Sequence, residues 1–594
     1  MHRVHFMSRL TKSSALVFGI LLSLSIVRLA LFNADSPAYC LDNFADPKGA
    51  QAGRVTCDTI LAATKEQRIQ IVDMAQKFAR GAALGDLWRA EKCVVIAAAN
   101  GQSVWLGESS NYKFSGNDPE KDWPGSQDRT IRPPILAWLL TDPNANKLLT
   151  RKGVSIGGAV IPGPLDLSDA SNLGLLRLNY CKLGDVNLSN ATARLIDLSG
   201  SKIILLDGTQ MRVNGDLYLN SIVAVSTLDL TDAEVDGNFH AANANLKSKG
   251  DSLILASATI GGSVYLSGTS AQGMFRATRA TVNQDLTIIG SKFGDEQCNG
   301  LQAAYAVVKG NLWWEPAVVG KHTELDLIGA SAGTFHNYNV KAWPHQNCLF
   351  LDGFEFSRLA PDSHATETTL KSWLDLQPDR AHDVQFSTKP GDFCDTYEAK
   401  NHADIEAEYP NPQPFKELAG FLRDSGKDDE ATDLLIDEAQ EDLDADIAAN
   451  PRNPRTWAEW IWGKVACFGY SPLHTFRFIL FFVGFGWVVF WIGSYMGLIV
   501  PTDKDAFDEY VKGYDSAHTR RPPVYYQLFN SFFYSLETFL PLVDLFQAKN
   551  WLPNPQREPQ AASRLLRGYL WIHIIAGWFF TTALLAGLSG LFQK

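Results

Sequence analysis

Between residue 153 and about residue 340, a short pattern recurs: a β-branched residue, a glycine two places on, then alternating apolar positions. It appears as Val160-Ile161-Pro162-Gly163-Pro164-Leu165-Asp166-Leu167, Val213-Asn214-Gly215-Asp216-Leu217-Tyr218-Leu219 and Val235-Asp236-Gly237-Asn238-Phe239. Further copies are Ile260-Gly261-Gly262-Ser263-Val264-Tyr265-Leu266, Val282-Asn283-Gln284-Asp285-Leu286-Thr287-Ile288 and Val308-Lys309-Gly310-Asn311-Leu312. The central residues Leu217, Phe239, Val264, Leu286 and Leu312 lie 22, 25, 22 and 26 residues apart, so one step is one coil of a repeat array. Shorter pieces such as Leu195-Ile196-Asp197-Leu198, Leu228-Asp229-Leu230 and Leu325-Asp326-Leu327 read as further faces of the same coils. Period-two alternation sends one side chain inward and the next outward, and glycines and small residues permit the corners. The expectation is a mainly β solenoid, a parallel β-helix filled by Leu, Val, Ile and Phe. No coil buries that column alone, so the stack needs several coils and a cover at each end.

Other periodicities flank the array. Ile71, Met74, Ala75 and Phe78 fall on one helical face, and Ile135, Leu136, Trp138, Leu139 and Leu140 cluster after Pro133-Pro134. These predict a helical capping region over 39–150, with the stretch 100–130 read as loop. After the β-helix (151–345) and an irregular connection (346–412), two apolar faces predict a helical hairpin over 413–465. They are Phe415, Leu418, Ala419, Phe421 and Leu422, then Ala431, Leu434, Leu435 and Ala439, joined at Ser425-Gly426-Lys427. Asp424 to Asp446 is strongly acidic, which reads as a solvated helix surface rather than a cation-attracting face.

Residues 466–594 predict an α-helical membrane region. Phe478 to Val500 carries no charge, Gly568 to Phe592 has His573 as its one ionisable group, and either length spans a bilayer. Between them, 524–547 is aromatic and apolar but contains Glu537, Pro541 and Asp544, which suits a full span, a re-entrant helix or an interfacial one. A carboxylate inside a membrane is costly, which makes Glu537, with Asp544 and His573, the candidate ion or proton pathway. The plainer assignments are an interfacial carboxylate and a hydrogen bond between helices. At the other end, Arg3, Arg9 and Lys12 precede an uncharged run from Ser13 to Val27. Residues 1–38 therefore predict a signal peptide or an N-terminal membrane anchor, placing the residues after about 40 outside the cytosol.

Composition narrows the function classes. Hydrophobic content of 46 % with 20 % charged residues is high for a soluble chain of 594 residues, and part of it belongs in lipid. A net charge of −12 without a basic stretch argues against a nucleic-acid partner. The eight cysteines form no CxxC pair and no ligand spacing with histidine, so neither a metal nor a redox cofactor is expected. Cys40, Cys57 and Cys93 leave room for one disulfide, whose pairing the sequence does not settle. No linear motif supplies a nucleophile or an acid/base pair, and no catalytic residue is assigned.

The coils resemble those of pentapeptide-repeat and related right-handed β-helix proteins through the Gly-x-Leu-x-Leu pattern, over roughly a third of the chain and without a strict five-residue period. More of the chain resembles uncharacterised bacterial membrane proteins that join such a β-helix to a helical hairpin and a membrane unit. The residues carrying this are Val154-Ser155-Ile156-Gly157-Gly158, Pro414-Phe415-Lys416-Glu417-Leu418-Ala419, Tyr534-Ser535-Leu536-Glu537-Thr538-Phe539-Leu540-Pro541 and Ala586-Gly587-Leu588-Ser589-Gly590-Leu591. The label "membrane-associated oxidoreductase" borne by some of them has no counterpart here, since the chain has neither a GxGxxG turn after a strand nor a CxxC.

The membrane unit also resembles a two-helix ion-channel module: a span, a short segment containing Phe532-Phe533-Tyr534-Ser535-Leu536-Glu537-Thr538, and a second span. Where a potassium channel has its Thr-Val-Gly-Tyr-Gly filter, this chain has Leu540-Pro541-Leu542-Val543-Asp544, which lacks the carbonyl ladder of that filter. These readings imply a non-enzymatic, membrane-anchored β-helix scaffold of the bacterial envelope. It would touch membrane lipid and a protein partner on the β-helix surface, with the β-helix on the periplasmic or extracytoplasmic side of the cytoplasmic membrane. The alternative is a homo-oligomeric, channel-like or ion-sensing protein.

Overall fold

The computed structural model describes residues 54–62, 67–107, 118–121, 123, 128–294, 299–337, 339–360, 367–377, 412–517, 522–554 and 559–588. The N-terminal export or anchor segment, Cys40, Cys298 and Cys394 lie outside the described residues. The chain divides into two compact units, residues 1–206 and 207–594. Between them they carry about nine turns of parallel β-solenoid, followed by a helical C-terminal region.

In the first unit, the strands Val154–Gly157, Leu175–Asn179 and Leu195–Asp197 stack in parallel, with Ile156 on Leu178 and Ile196 on Leu176. Two shorter strand columns, starting at Val160–Ile161 and Leu165–Asp166, complete each turn. The capping region is more than helices. Helices α1 (Cys57–Ala62), α2 (Gln67–Gly81), α3 (Arg89–Asn100) and α4 (Pro133–Thr141) pack beside two strands, Arg54–Thr56 and Ser103–Trp105. Those strands extend the solenoid sheet in parallel, Val55 on Val104 and Val104 on Ile156, so the stretch read as loop supplies the rung that covers the first coil's edge. The helix that follows Pro133-Pro134 ends at Asp142, which caps the next short helix by accepting from the N–H groups of Asn144 and Ala145.

Two fasteners hold this cap. Cys57 and Cys93 are disulfide-bonded, with 5.4 Å between their Cα atoms, and tie α1 to α3. Glu91 is fully buried and takes two guanidinium hydrogen bonds from Arg132, at 2.7 Å to Oε1 and 2.6 Å to Oε2, fastening α3 to the start of α4. That hydrogen-bonded pairing outweighs burial and holds Arg132 above its ordinary range.

In the second unit, register follows the repeat spacing. Leu217 lies on Phe239, Phe239 on Val264, Val264 on Leu286, and Leu286 on Leu312, each at most 2 % exposed. The array continues past 345 through the strands Leu349–Phe350 and Glu355–Leu359, which the fading repeat had not suggested.

The corners differ from the expectation of small residues and glycines. Ten of the left-handed corner positions are non-glycine, among them Asp169, Asn190, Ser221, Asp232, Asn243, Arg279 and Tyr305, with φ between +54° and +59°. Such a backbone costs about 1–2 kcal/mol per residue. Local hydrogen bonds offset it: Asp166, Asn187, Asp197, Asp207 and Asp229 each accept through Oδ1 from the N–H two residues on, closing the turn before the corner. The corner N–H then reaches the next coil, as from Asp169 to Ser189 O and from Asp232 to Ala256 O, both at 2.9 Å. Asp166, Asp197 and Asp229 are thus turn formers. Asp326 forms the same kind of turn, accepting from Ile328 N at 2.9 Å, but is fully buried.

The helical hairpin closes the last coil. Helices α5 (Gln413–Asp424) and α6 (Asp428–Ala449) pack antiparallel across Gly426, and Gln413 Oε1 accepts from Gly353 N at 3.0 Å. The acidic face of α6 is partly neutralised. Lys371 sits 2.9 Å from Asp437 and 2.8 Å from Glu441; burial opposes its charge, but those two carboxylates prevail and hold it above its ordinary range.

Candidate functional site

The second unit continues through α7 (Pro454–Ala466) into two helices long and apolar enough to cross a membrane, α8 (Pro472–Tyr495) and α11 (Gln560–Leu588). At 1.5 Å per residue they measure about 36 Å and about 43 Å. Their limits differ from the uncharged stretches. α8 starts at Pro472, includes Arg477 and ends before the strand Ile499–Pro501, while α11 begins eight residues before Gly568 and takes in Arg564 and Arg567. Proline at N1 sets the first boundary and Gly497, at φ +69°, permits the turn after the second. Much of each surface is uncovered by protein: Leu480, Phe481, Trp491, Trp571, Ile575 and Trp578 are exposed, as lipid contact requires.

The segment 524–547 holds the nine-residue helix α9 (Ser531–Phe539), about 13 Å long and too short to span. Asn530 starts it by accepting from the N–H groups of Phe532 and Phe533. The strand Ile499–Pro501 pairs antiparallel with Trp551–Pro553, so the chain leaves α8 and returns toward α11 at one end of the pair. The segment thus enters and leaves at the same end of the two long helices.

Small residues admit it. A Cβ at Gly486 would collide with Ser535 Oγ and the His573 ring, and one at Gly577 would collide with the carbonyl oxygen of Phe539. At mid-length of α8, Ser535 Oγ donates to Val483 O at 2.8 Å. His573 is 1 % exposed, and its Nε2 lies 3.2 Å from both Ser535 Oγ and Ser535 O. A carbonyl only accepts, so Nε2 carries the proton, and Nδ1 accepts from Tyr569 Oη at 3.2 Å. Both imidazole nitrogens are thus paired, and the ring joins α9 to α11.

Glu537, two residues on, faces the return limb. It is 9 % exposed, and its Oε2 accepts from Gln547 N at 2.7 Å and Ala548 N at 3.1 Å, capping the short helix α10 (Gln547–Asn550). Asp544 is exposed, pairs with Lys549 and accepts from Phe546 N at 3.2 Å. The Lys549 hydrogen bond, then that N–H, hold its carboxyl below the usual range, with Glu537 also in reach. Glu537 and Asp544 therefore share the return limb, while His573 belongs to the Ser535–Tyr569 node.

Sequence reasoning did not single out Ser535, Tyr569, Gly486 or Gly577. The usable signal was glycine inside an apolar helix. Tyr534, fully buried against Phe490, has a hydroxyl without a hydrogen-bond partner among the described residues. Among the described residues no three of His, Cys, Asp and Glu converge as a metal site. The chemistry on view is thus a chain of hydrogen bonds through Val483, Ser535, His573 and Tyr569, beside a carboxylate that holds backbone.

Compared with known proteins, the sequence matches no family model, no curated protein matches it, and no solved structure matches the fold.

Proposed function

We propose that this protein is a membrane-anchored, non-enzymatic scaffold of the bacterial envelope, displaying its solenoid on the outer side of the cytoplasmic membrane to bind a partner. The observation that carries the reading is the solenoid's stacked parallel rungs, which hold outward side chains in rows, in one chain with two apolar helices. The Cys57–Cys93 bond supports an oxidising side for the cap.

A second reading, an oligomeric channel-like protein, has one observation in its favour. The limb from Leu540 to Leu545 is non-helical, its Leu542 is 77 % exposed, and the N–H groups of Leu542, Asp544 and Leu545 have no partner among the described residues. Phe539, where the limb begins, packs with Ile479, Val483 and Phe580 well inside the helix pair. Non-helical backbone at membrane depth is tolerated only where protein or a water-filled cavity covers it, and further copies of the chain would supply that cover.

Labelling of Ser267→Cys in intact cells by a membrane-impermeant maleimide tests the first reading. Labelling from outside is the expected result. Protection until the membrane is permeabilised overturns the display reading and puts the second in its place.

A further inference from the structure

The helix α7 buries its small residues and exposes its large ones. Thr456, Gly463 and Ala466 are buried, whereas Trp457, Trp460, Ile461 and Lys464, at i, i+3, i+4 and i+7, form an exposed stripe along one face. A helix in water turns its apolar stripe toward the core instead. The stripe is fixed in place: Trp457 Nε1 donates to Pro451 O at 3.0 Å, and the Trp457 and Trp460 rings meet edge to face at 6.0 Å. The turn after α7 is tight, since a Cβ at Gly463 would collide with the Phe468 ring.

The other side of α7 sets its level against the two long helices. Trp462 meets Phe579 of α11 edge to face at 6.0 Å, and Val465 packs against the cluster of Ile479, Val483, Phe539 and Phe580. Phe478, where the uncharged run of α8 begins, stacks on Phe580 at 5.9 Å. α7 therefore lies beside the start of the run that is apolar enough to cross a membrane. Exposed apolar surface resumes at that end of α8 with Leu473, Phe476 and Leu480. Lys464 and Arg477 are exposed at the same end and enter no ion pair among the described residues.

We propose that the stripe of Trp457, Trp460 and Ile461 is seated in the boundary between headgroups and acyl chains of a phospholipid bilayer, with Lys464 and Arg477 pairing with lipid phosphates. The stripe adjoins the very surface of α8 that lipid has to cover, and an indole suits a boundary that is apolar on one side and wet on the other. Cations flanking an apolar helical face complete the pattern of an interfacial helix and match the charge of the phosphates. α6 packs on α7, so this contact holds the helical hairpin at the membrane surface. The inference rests on the membrane-anchored part of the proposed function, adds to it a lipid contact that is not a span, and does not depend on which side of the membrane the solenoid occupies.

The test uses the full, unsubstituted chain in bilayer discs of phosphatidylcholine and phosphatidylglycerol that include a phospholipid with a photoactivated diazirine near its glycerol. Adducts are mapped to residues by mass spectrometry. Trp457, Trp460 and Ile461 should be labelled to within about threefold of Trp571 on α11, and at least about tenfold above the exposed Tyr305 of the solenoid. Lys464→Glu combined with Arg477→Glu, both at exposed positions, should lower the yield on α7 about fivefold and leave that on Trp571 unchanged. An unchanged yield on α7 in that variant overturns the phosphate pairing. Adducts on Trp571 with α7 no more labelled than Tyr305 overturn the inference and leave membrane anchoring standing. Protection of the same tryptophans from hydroxyl radicals would then assign the stripe to a protein partner or a second copy. No adducts on Trp571 remove the membrane-anchored reading itself.

Discussion

The solenoid and the membrane-type helices solve the same problem, burial of an apolar surface without breaking the backbone hydrogen-bond pattern of their elements, in opposite ways. In the solenoid, a residue's partner is the equivalent residue one coil away, so Leu217 meets Phe239 and Phe239 meets Val264. In the helical region partners come from distant, non-equivalent places: Ser535 reaches Val483, 52 residues back, and His573, 38 residues ahead. A repeat distributes its stability, so each rung resembles the next. The segment 524–547 concentrates it at a few close approaches, where one methyl group decides whether the helix fits.

The largest expected effect is in the solenoid column. Phe239→Ala empties a fully buried site between Leu217 and Val264 and should cost about 3–5 kcal/mol. Hydrogen exchange should locate the loss at the neighbouring rungs and leave α8 and α11 protected. Equal deprotection of both regions would contradict the contrast between distributed and concentrated stability.

A smaller effect sharpens the comparison within one helix. Gly577→Ala drives a methyl group into Phe539 O, whereas at Gly568 the same methyl meets nothing within 4 Å. Gly577→Ala should destabilise by about 1–3 kcal/mol, read as a lower unfolding temperature in detergent. Gly568→Ala should match or exceed the parent, because alanine favours helix by up to about 1 kcal/mol. If the two variants behave alike, the close approach of α9 to α11 is not what holds the segment.

The smallest effect is pH dependence in an aromatic row of the solenoid, where His240 stacks between Tyr218 at 4.7 Å and Tyr265 at 4.9 Å. Burial between Tyr218 and Tyr265 pushes His240 below its ordinary value of 6.5, against the attraction of Asp216, and burial does the same to His336 against Asp285. For a histidine with a lowered folded pKa, the unfolded chain binds protons first. The stability is therefore complete above the unfolded value of about 6.5 and declines as pH falls from there toward the folded value. His240→Phe keeps a ring in the stack and should flatten part of the fall in unfolding temperature between neutral and mildly acid pH. A fall as steep as the parent's would assign the effect elsewhere.

The two regions also differed in how far they could be read ahead. The 22- to 26-residue spacing of Leu217, Phe239, Val264, Leu286 and Leu312 determined coil length and register, because a parallel stack makes equal positions neighbours. The uncharged runs located two long apolar helices to within several residues, because composition responds to surroundings over whole turns. The corners were harder. Of the ten non-glycine residues at left-handed φ, Asp169, Asn190, Asp232 and Asn243 are of types that tolerate it, but Tyr180, Gln210, Arg279 and Tyr305 follow no intrinsic preference, and the hydrogen bonds that stabilise the conformation come partly from the next coil. Likewise, Ser103–Trp105 is a strand because Arg54–Thr56 and Val154–Gly157 lie on either side of it. By itself, then, the sequence determined what repeats and what avoids water, since both are periodic or compositional properties carried by the residues concerned. Tertiary structure alone decided that Cys57 pairs with Cys93, that Glu537 grips the N–H groups of Gln547 and Ala548, and that His573 meets Ser535. The reason is that each of these depends on a distance between chain segments, which the order of residues does not encode until the chain has folded.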